Sequence, residues 1–274
     1  MEKWTVADIP SQAGNLAVVT GANSGIGWQT ALELARAGSE VILAARTEAK
    51  GREAVELIRR HFPQAKVRAE VLDLASLQSV RAFAAKVGGE AKLDLLVNNA
   101  GVMSVPQRET TADGFELQFG TNFLGPFALT GLLMPALQRA ASPRVTTVAS
   151  AAAKLGMRRI KFDDLQVIGL LSNAAHPGYA RTNLQTSGPG RPQNSIEKII
   201  ASFLSQDAAH GALPTLRAAT AMDAAAGSFY GPDRLFQLKG DPVLVPVPKP
   251  ARDEAASRTL WEVSEKLTRV HWLP

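Results

Sequence analysis

The sequence predicts a single α/β domain built on a doubly wound parallel sheet with helices on both faces. Two observations predict it. Short apolar runs alternate with helical patterns from Leu16 onward, and those runs lack the polar alternation of a half-exposed strand, as expected where helices cover both sides. A chain of 274 residues with no internal repeat and no linker composition fits one large core, so the domain spans 1–274.

Taken in order, NLAVVTG predicts the first strand, with a helix near 25–37. VILAAR at 41–46 is a second strand, followed by a helix near 49–61. VRAEVLDL at 67–74, a helix near 77–86 and LDLLVNNAG at 93–101 continue the alternation. A long helical stretch from about Asp113 to Ala140 carries Gly125 and Pro126, where a lost amide and ring clash predict a kink or break. RVTTVAS at 144–150 and GLLSNAAHPG at 169–178 read as the fifth and sixth strands. A Gly/Pro/Ser-rich loop, TSGPGRPQNS at 186–195, is placed to cover a ligand. Helices near 195–221, a short strand GSFYG, a Pro-rich connector VPVPKP and an amphipathic helix through LWEVSEKL complete the chain.

Composition narrows the function classes. Hydrophobic content of 46% with 20% charged residues is ordinary for a protein that folds in water. No basic and apolar leader opens the chain and no run of eighteen apolar residues occurs, so no membrane span is expected and the cytoplasm is the default setting. Without cysteine there is no disulfide or thiolate nucleophile, and His61, His176, His210 and His271 stand apart, so no metal site is expected. The net charge of +5 does not point to nucleic acid, because the longest basic cluster, RRIK at 158–161, has no interleaved aromatics.

The first strand ends in TGANSGIG at 20–27, from which a helix opens directly. Glycines there permit a tight turn and let backbone amides approach a pyrophosphate at the positive end of the helix, which makes the fold Rossmann-type. Gly21, Asn23, Ser24, Gly25, Ile26 and Gly27 are the candidate cradle. The second strand ends in Arg46 rather than an acid, and a guanidinium there suits a ribose 2′-phosphate, so NADP is favoured over NAD. At the end of the fourth strand NNAG supplies Asn99, Ala100 and Gly101, small and amide residues able to border a cofactor closely. The cofactor half runs over about 14–140 and the substrate half over about 141–274.

Taken with VLDL at 71–74, TNFLG at 121–125, the strand-end Ser150 and HPGYART at 176–182, this chain resembles the short-chain dehydrogenase/reductase family over nearly its whole length. Within the family it looks most like the retinol-dehydrogenase-like and protochlorophyllide-reductase-like branch, through TGANSGIG, ILAAR, NFLGPFALT, FDDLQ and LWEVSE. The resemblance implies that Asp73 and Leu74 flank the adenine and that Asn99 to Gly101 border the ribose and nicotinamide. It further implies that Thr182 contacts the cofactor after the Pro177–Gly178 turn. Asn122 is implied to help hold a proton-relay water and Ser150 to orient the substrate oxygen. The implied substrate is a small-molecule alcohol or carbonyl, apolar by the branch and by Leu155, Met157 and Leu184 near the expected mouth, and homo-oligomers are common in the family.

One element of the family pattern is missing. Its acid/base is a tyrosine with a lysine four residues later, one turn apart on one helix face. Here Tyr179 is followed at that spacing by Asn183 and Tyr230 by Arg234, and neither tyrosine is assigned the role. Between Ser150 and Val167 the residues AAAKLGMRRIKFDDLQ give a crossover of bare minimum length with no sustained apolar stripe. Losing a crossover helix that buries several hundred Å² costs roughly 10 kcal/mol, comparable with the stability of a whole domain. Two readings follow. The preferred one is an NADP-dependent oxidoreductase whose Tyr/Lys segment, between Gln166 and Val167, is lost from the sequence as read. The other is a catalytically incomplete dinucleotide-binding module. An epimerase or dehydratase on the same fold ranks third.

Overall fold

The computed structural model of the chain describes residues 3–103, 107–150, 170–181 and 205–272. Among the described residues eight strands form one sheet: β1 (Leu16–Thr20), β2 (Glu40–Ala45), β3 (Val67–Val71), β4 (Leu95–Asn98), β5 (Arg144–Val148), β6 (Leu171–Ala175), β7 (Phe229–Arg234) and β8 (Lys239–Leu244). Their order is β3-β2-β1-β4-β5-β6-β7-β8, parallel from β3 to β7 and antiparallel only between β7 and β8. The chain leaves β1 in one direction toward β2 and β3 and returns on its other side at β4, so a crevice opens beyond the carboxyl ends of β1 and β4.

The longer helices among the described residues are α1 (Gly25–Arg36), α2 (Glu48–His61), α3 (Leu77–Gly88), α4 (Gly125–Gln138), α5 (Ala208–Thr220) and α6 (Glu254–Thr268). Their ends follow local chemistry. Thr47, Ser76, Asp207 and Asp253 accept from the first-turn amides of α2, α3, α5 and α6, and Arg59, Arg60 and His61 close α2 at its negative end. Alternating strand residues feed two cores. Val18, Ile42, Leu96 and Val145 pack toward α3 and α4, whereas Val19, Val41, Leu43 and Val97 pack toward α1, α2 and α5. Both faces are covered at the centre of the sheet, which is why β1, β2 and β4 read as nearly unbroken apolar runs, whereas β3 at the edge alternates apolar residues with Arg68 and Glu70.

Three sequence expectations change. The long helical stretch begins at Leu117 rather than Asp113, because Asp113 and Gly114 form a turn in which Gly114 has φ +82°. It does not break at Pro126. A short turn, Leu117–Phe119, widens into a π-helical turn, Gly120–Leu124, in which the Gly125 amide donates to Gly120 O, and Pro126 then falls in the first turn of α4, where a missing amide costs little. Third, the residues between GSFYG and VPVPKP, for which no element was expected, contain β8, an edge strand that tolerates Pro242 because only one side of it is paired. The loop at 186–195 and the first part of the helical stretch from 195 lie outside the described residues.

Helix α6 docks onto α4 through aromatic rings. Phe119, Phe123 and Phe127 stack at helical spacing, with centroids 5.4 and 6.2 Å apart. Trp261 and Trp272 continue the series, both packed on Phe127 at 5.0 and 5.1 Å. Arg81 of α3 donates to the Thr268 carbonyl at 2.7 Å, closing the end of α6. Among the described residues, no helix is long and apolar enough to cross a membrane.

Candidate functional site

The crevice at the sheet's carboxyl edge collects most of the residues singled out in the sequence. Gly21 follows β1 with φ +65°, and a Cβ there would lie 2.9 Å from Cα of Ala100 and 3.3 Å from the side-chain nitrogen of Asn99. Gly27 is tighter: a Cβ would meet the Gly21 carbonyl oxygen at 2.6 Å and collide with the Asn99 amide. The turn, the first coil of α1 and the end of β4 are therefore packed backbone to backbone, and only glycine fits at either position.

Thr20 ties these pieces together. Its hydroxyl oxygen accepts from the amides of Asn99 and Ala100, both at 3.0 Å, and Asn99 Nδ2 donates to the Thr20 carbonyl at 2.8 Å. Sequence reasoning missed Thr20, although a hydroxyl closing an apolar strand just before the glycine turn was a visible signal. Ser24 occupies the N-cap of α1 in extended backbone (φ −163°), yet its hydroxyl makes no capping hydrogen bond. Asn23 and Ser24 lead into α1, whose first amides face the crevice with no side-chain cap from Ser24, an arrangement suited to an anion. Ile26 turns away and packs against α5, 3.5 Å from where a Cβ on Gly211 would stand.

Arg46 stands exposed directly after β2, beside the α2 N-cap Thr47, and forms no ion pair among the described residues. Asp73 Oδ1 accepts from the Ala75 amide at 3.0 Å and its own amide donates to Ser79 Oγ at 2.9 Å, which fixes the loop after β3. Leu74 is 5% exposed with its side chain in the core, so only its backbone can face a ligand.

Asn122 lies in the π turn and is locked to Val102 in both directions. Its Oδ1 accepts from the Val102 amide at 2.7 Å and its Nδ2 donates to the Val102 carbonyl at 2.8 Å. One amide hydrogen and one oxygen lone pair remain for a water or ligand. Glu116 anchors the turn from below, accepting from the Gln118 and Phe119 amides at 3.0 and 2.7 Å, and those two donors hold its carboxyl below the usual carboxylate range. Ser150 is exposed just beyond the carboxyl end of β5, and Pro177 and Gly178 lie beyond that of β6, so both reach the same edge of the sheet as Asn99 to Gly101. Tyr230 is 3% exposed in the core with the Arg217 guanidinium 5.7 Å from its ring centre, which bars it from acid/base work. Thr182, Leu155, Met157, Leu184 and the Gln166–Val167 junction lie outside the described residues.

Known proteins of similar sequence and shape fit this geometry. The family model described as short chain dehydrogenase matches residues 15–161, more than half of the chain. Retinol dehydrogenase 13 of Mus musculus is 44% identical over 210 aligned positions, covering 64% of this chain and 62% of that protein. Since 64% of 274 residues is about 175, about 35 of those positions face a gap here. A crystal structure of an uncharacterised protein from Mycobacterium paratuberculosis superposes with TM-score 0.76 at 37% identity, covering all of both chains. A structure from Beutenbergia cavernae, assigned as an NAD(P)-dependent gluconate 5-dehydrogenase and holding NADP at low occupancy, superposes with TM-score 0.60 at 25% identity, over 77% of this chain and 91% of that one.

Proposed function

The chain belongs to the short-chain dehydrogenase family, and from that premise we propose that it is an NADP-dependent oxidoreductase acting on an apolar alcohol/carbonyl pair. The observation that carries the reading is the cradle itself: Gly21 and Gly27 admit no side chain, and among the described residues no side chain caps the N-terminus of α1. A dinucleotide fits those residues. The first amides of α1 and Ser24 would hold its pyrophosphate, Arg46 a 2′-phosphate, and Asp73 with the Leu74 backbone its adenine. Asn99, Ala100 and Gly101 would border its ribose and nicotinamide, and Pro177, Gly178 and Thr182 the far side. When bound, the nicotinamide supplies the hydride donor or acceptor.

The chain's own residues then handle the substrate oxygen. Ser150 orients it by hydrogen bonding, and Asn122, held rigid by Val102, positions a relay water with the amide hydrogen and lone pair it has left. Proton exchange at that oxygen falls to a Tyr/Lys pair, which we place in a segment between Gln166 and Val167 that this sequence lacks. The roughly 35 positions aligned to retinol dehydrogenase 13 that have no counterpart here are enough, taken together, for one helix with its flanks, which supports a missing segment of that size. That relative is named for an apolar alcohol, which favours the substrate class proposed here.

The alternative, a dinucleotide-binding module without redox activity, rests on the missing motif. Intact-mass measurement of the protein purified from its natural source, with turnover of a panel of apolar alcohols and carbonyls, separates the two. A mass above 29.1 kDa with NADP-dependent turnover is the expected result. A mass matching that value, with NADPH binding and no turnover, establishes the module.

A further inference from the structure

Just beyond β6 the imidazole of His176 is fully buried, with both nitrogens engaged. Nδ1 accepts from the Gly178 amide at 3.3 Å and Nε2 lies 3.0 Å from Gln237 Oε1. With Nδ1 accepting, the ring hydrogen sits on Nε2 and is donated to Gln237. Phe229 packs on the imidazole at 5.1 Å, and Gly231 leaves it room, since a Cβ there would collide with Nε2.

The partner, Gln237, belongs to a strained turn. Leu235, Phe236 and Gln237 between β7 and β8 have φ of +48°, +56° and +68°, three consecutive left-handed residues without a glycine. Such a conformation persists only where its surroundings fix it. Further ties from the same hairpin end on the same turn. Leu238 O accepts from the Tyr179 amide at 2.6 Å, and Gln206 donates to the Pro177 carbonyl at 2.9 Å while accepting from the Gly240 amide at 3.0 Å. Gly178 itself has φ +64°, with Leu238 O against the place of a Cβ.

We infer that His176 and Gln237 are positioning residues: the strained hairpin holds the Pro177–Gly178 turn through them and thereby sets affinity for the nicotinamide cofactor. This rests on the functional reading above for the claim that the turn borders the cofactor. The geometry gives the hairpin one purpose that its exposed tip does not, because the left-handed backbone aims Gln237 inward at the imidazole.

The test compares Gln237→Leu, which keeps the side chain's size and removes the acceptor, with Gln237→Glu, which restores an acceptor. Two quantities are read: Kd for NADPH, and amide exchange of Gly178 and Tyr179 in the cofactor-free protein, with circular dichroism confirming the fold. Removing the Gln237 acceptor from the buried Nε2 hydrogen in Gln237→Leu should raise Kd about tenfold and speed exchange at both amides. Gln237→Glu should stay within about threefold of wild type. A Gln237→Leu variant that is folded and binds NADPH like wild type overturns the inference, even if exchange quickens. Unchanged exchange overturns the clamp itself. Wild-type protein that binds neither NADPH nor NADH removes the functional reading, and the cofactor half of the inference with it, while the exchange measurement still decides the clamp.

Discussion

Asn99 reaches from the end of β4 to the first coil of α1, donating to the Thr20 carbonyl at 2.8 Å and filling the space a side chain on Gly27 would need. Gly27→Ala should therefore push Asn99 and the Gly21 carbonyl apart, costing about 1–3 kcal/mol of stability as overpacking does. NADPH affinity should fall more than tenfold, because the amides of the cradle move with the carbonyl. Calorimetry with and without NADPH checks both effects, and unaltered affinity would show that the cradle is an ordinary turn.

Arg46 is exposed and unpaired among the described residues, so Arg46→Ala should leave the fold unchanged. Removing a charge-assisted contact to a 2′-phosphate should weaken NADPH about 10–100-fold while NADH changes less than about twofold. Paired titrations with the two cofactors read the ratio. An equal loss for both would assign Arg46 to the general field of the site.

Asp207 caps α5, and the His210 amide donating to it, at 2.8 Å, holds its carboxyl below the usual carboxylate range. A pKa lower in the folded than in the unfolded chain gives stability that is complete above the unfolded value and is lost as pH falls through the folded one. Asp207→Ala should cost about 1 kcal/mol at neutral pH, as the loss of a cap does, and the deficit should shrink below about pH 4. Urea unfolding of both proteins across pH 3–7 measures the difference; a deficit independent of pH would mean the carboxylate charge plays no part.

Phe236 is 96% exposed in left-handed backbone. Its ring contributes little packing, and asparagine tolerates that conformation better. Phe236→Asn should therefore stabilise the protein by up to about 1 kcal/mol, visible as a higher Tm, with NADPH affinity unchanged because Gln237 keeps its backbone.

Much of the fold was legible because its determinants are local. Strands β1 to β6 announced themselves as short apolar or β-branched runs, and the cap Thr47 marks a helix start within a residue or two of expectation. Strand β8 was not legible: KGDPVL carries residues that read as loop, and it exists only because β7 offers an edge on which Pro232 can face Pro242. The π turn likewise depends on packing against the rest of the fold, not on residues 120–124 alone. In the site, the glycine turn and Arg46 could be read from spacing, whereas Thr20 meets Asn99 across 79 residues and His176 meets Gln237 across 61. No periodicity in one sequence reveals such pairings.

The ring series from Phe119 to Trp272 gives the protein an optical consequence. Trp261 and Trp272 face each other at 4.7 Å, joined through Phe127 and Phe123 to the turn that presents Asn122. Any shift of that turn on loading alters the surroundings of two of the chain's four indoles. Their emission is a built-in gauge of the crevice, readable without a label.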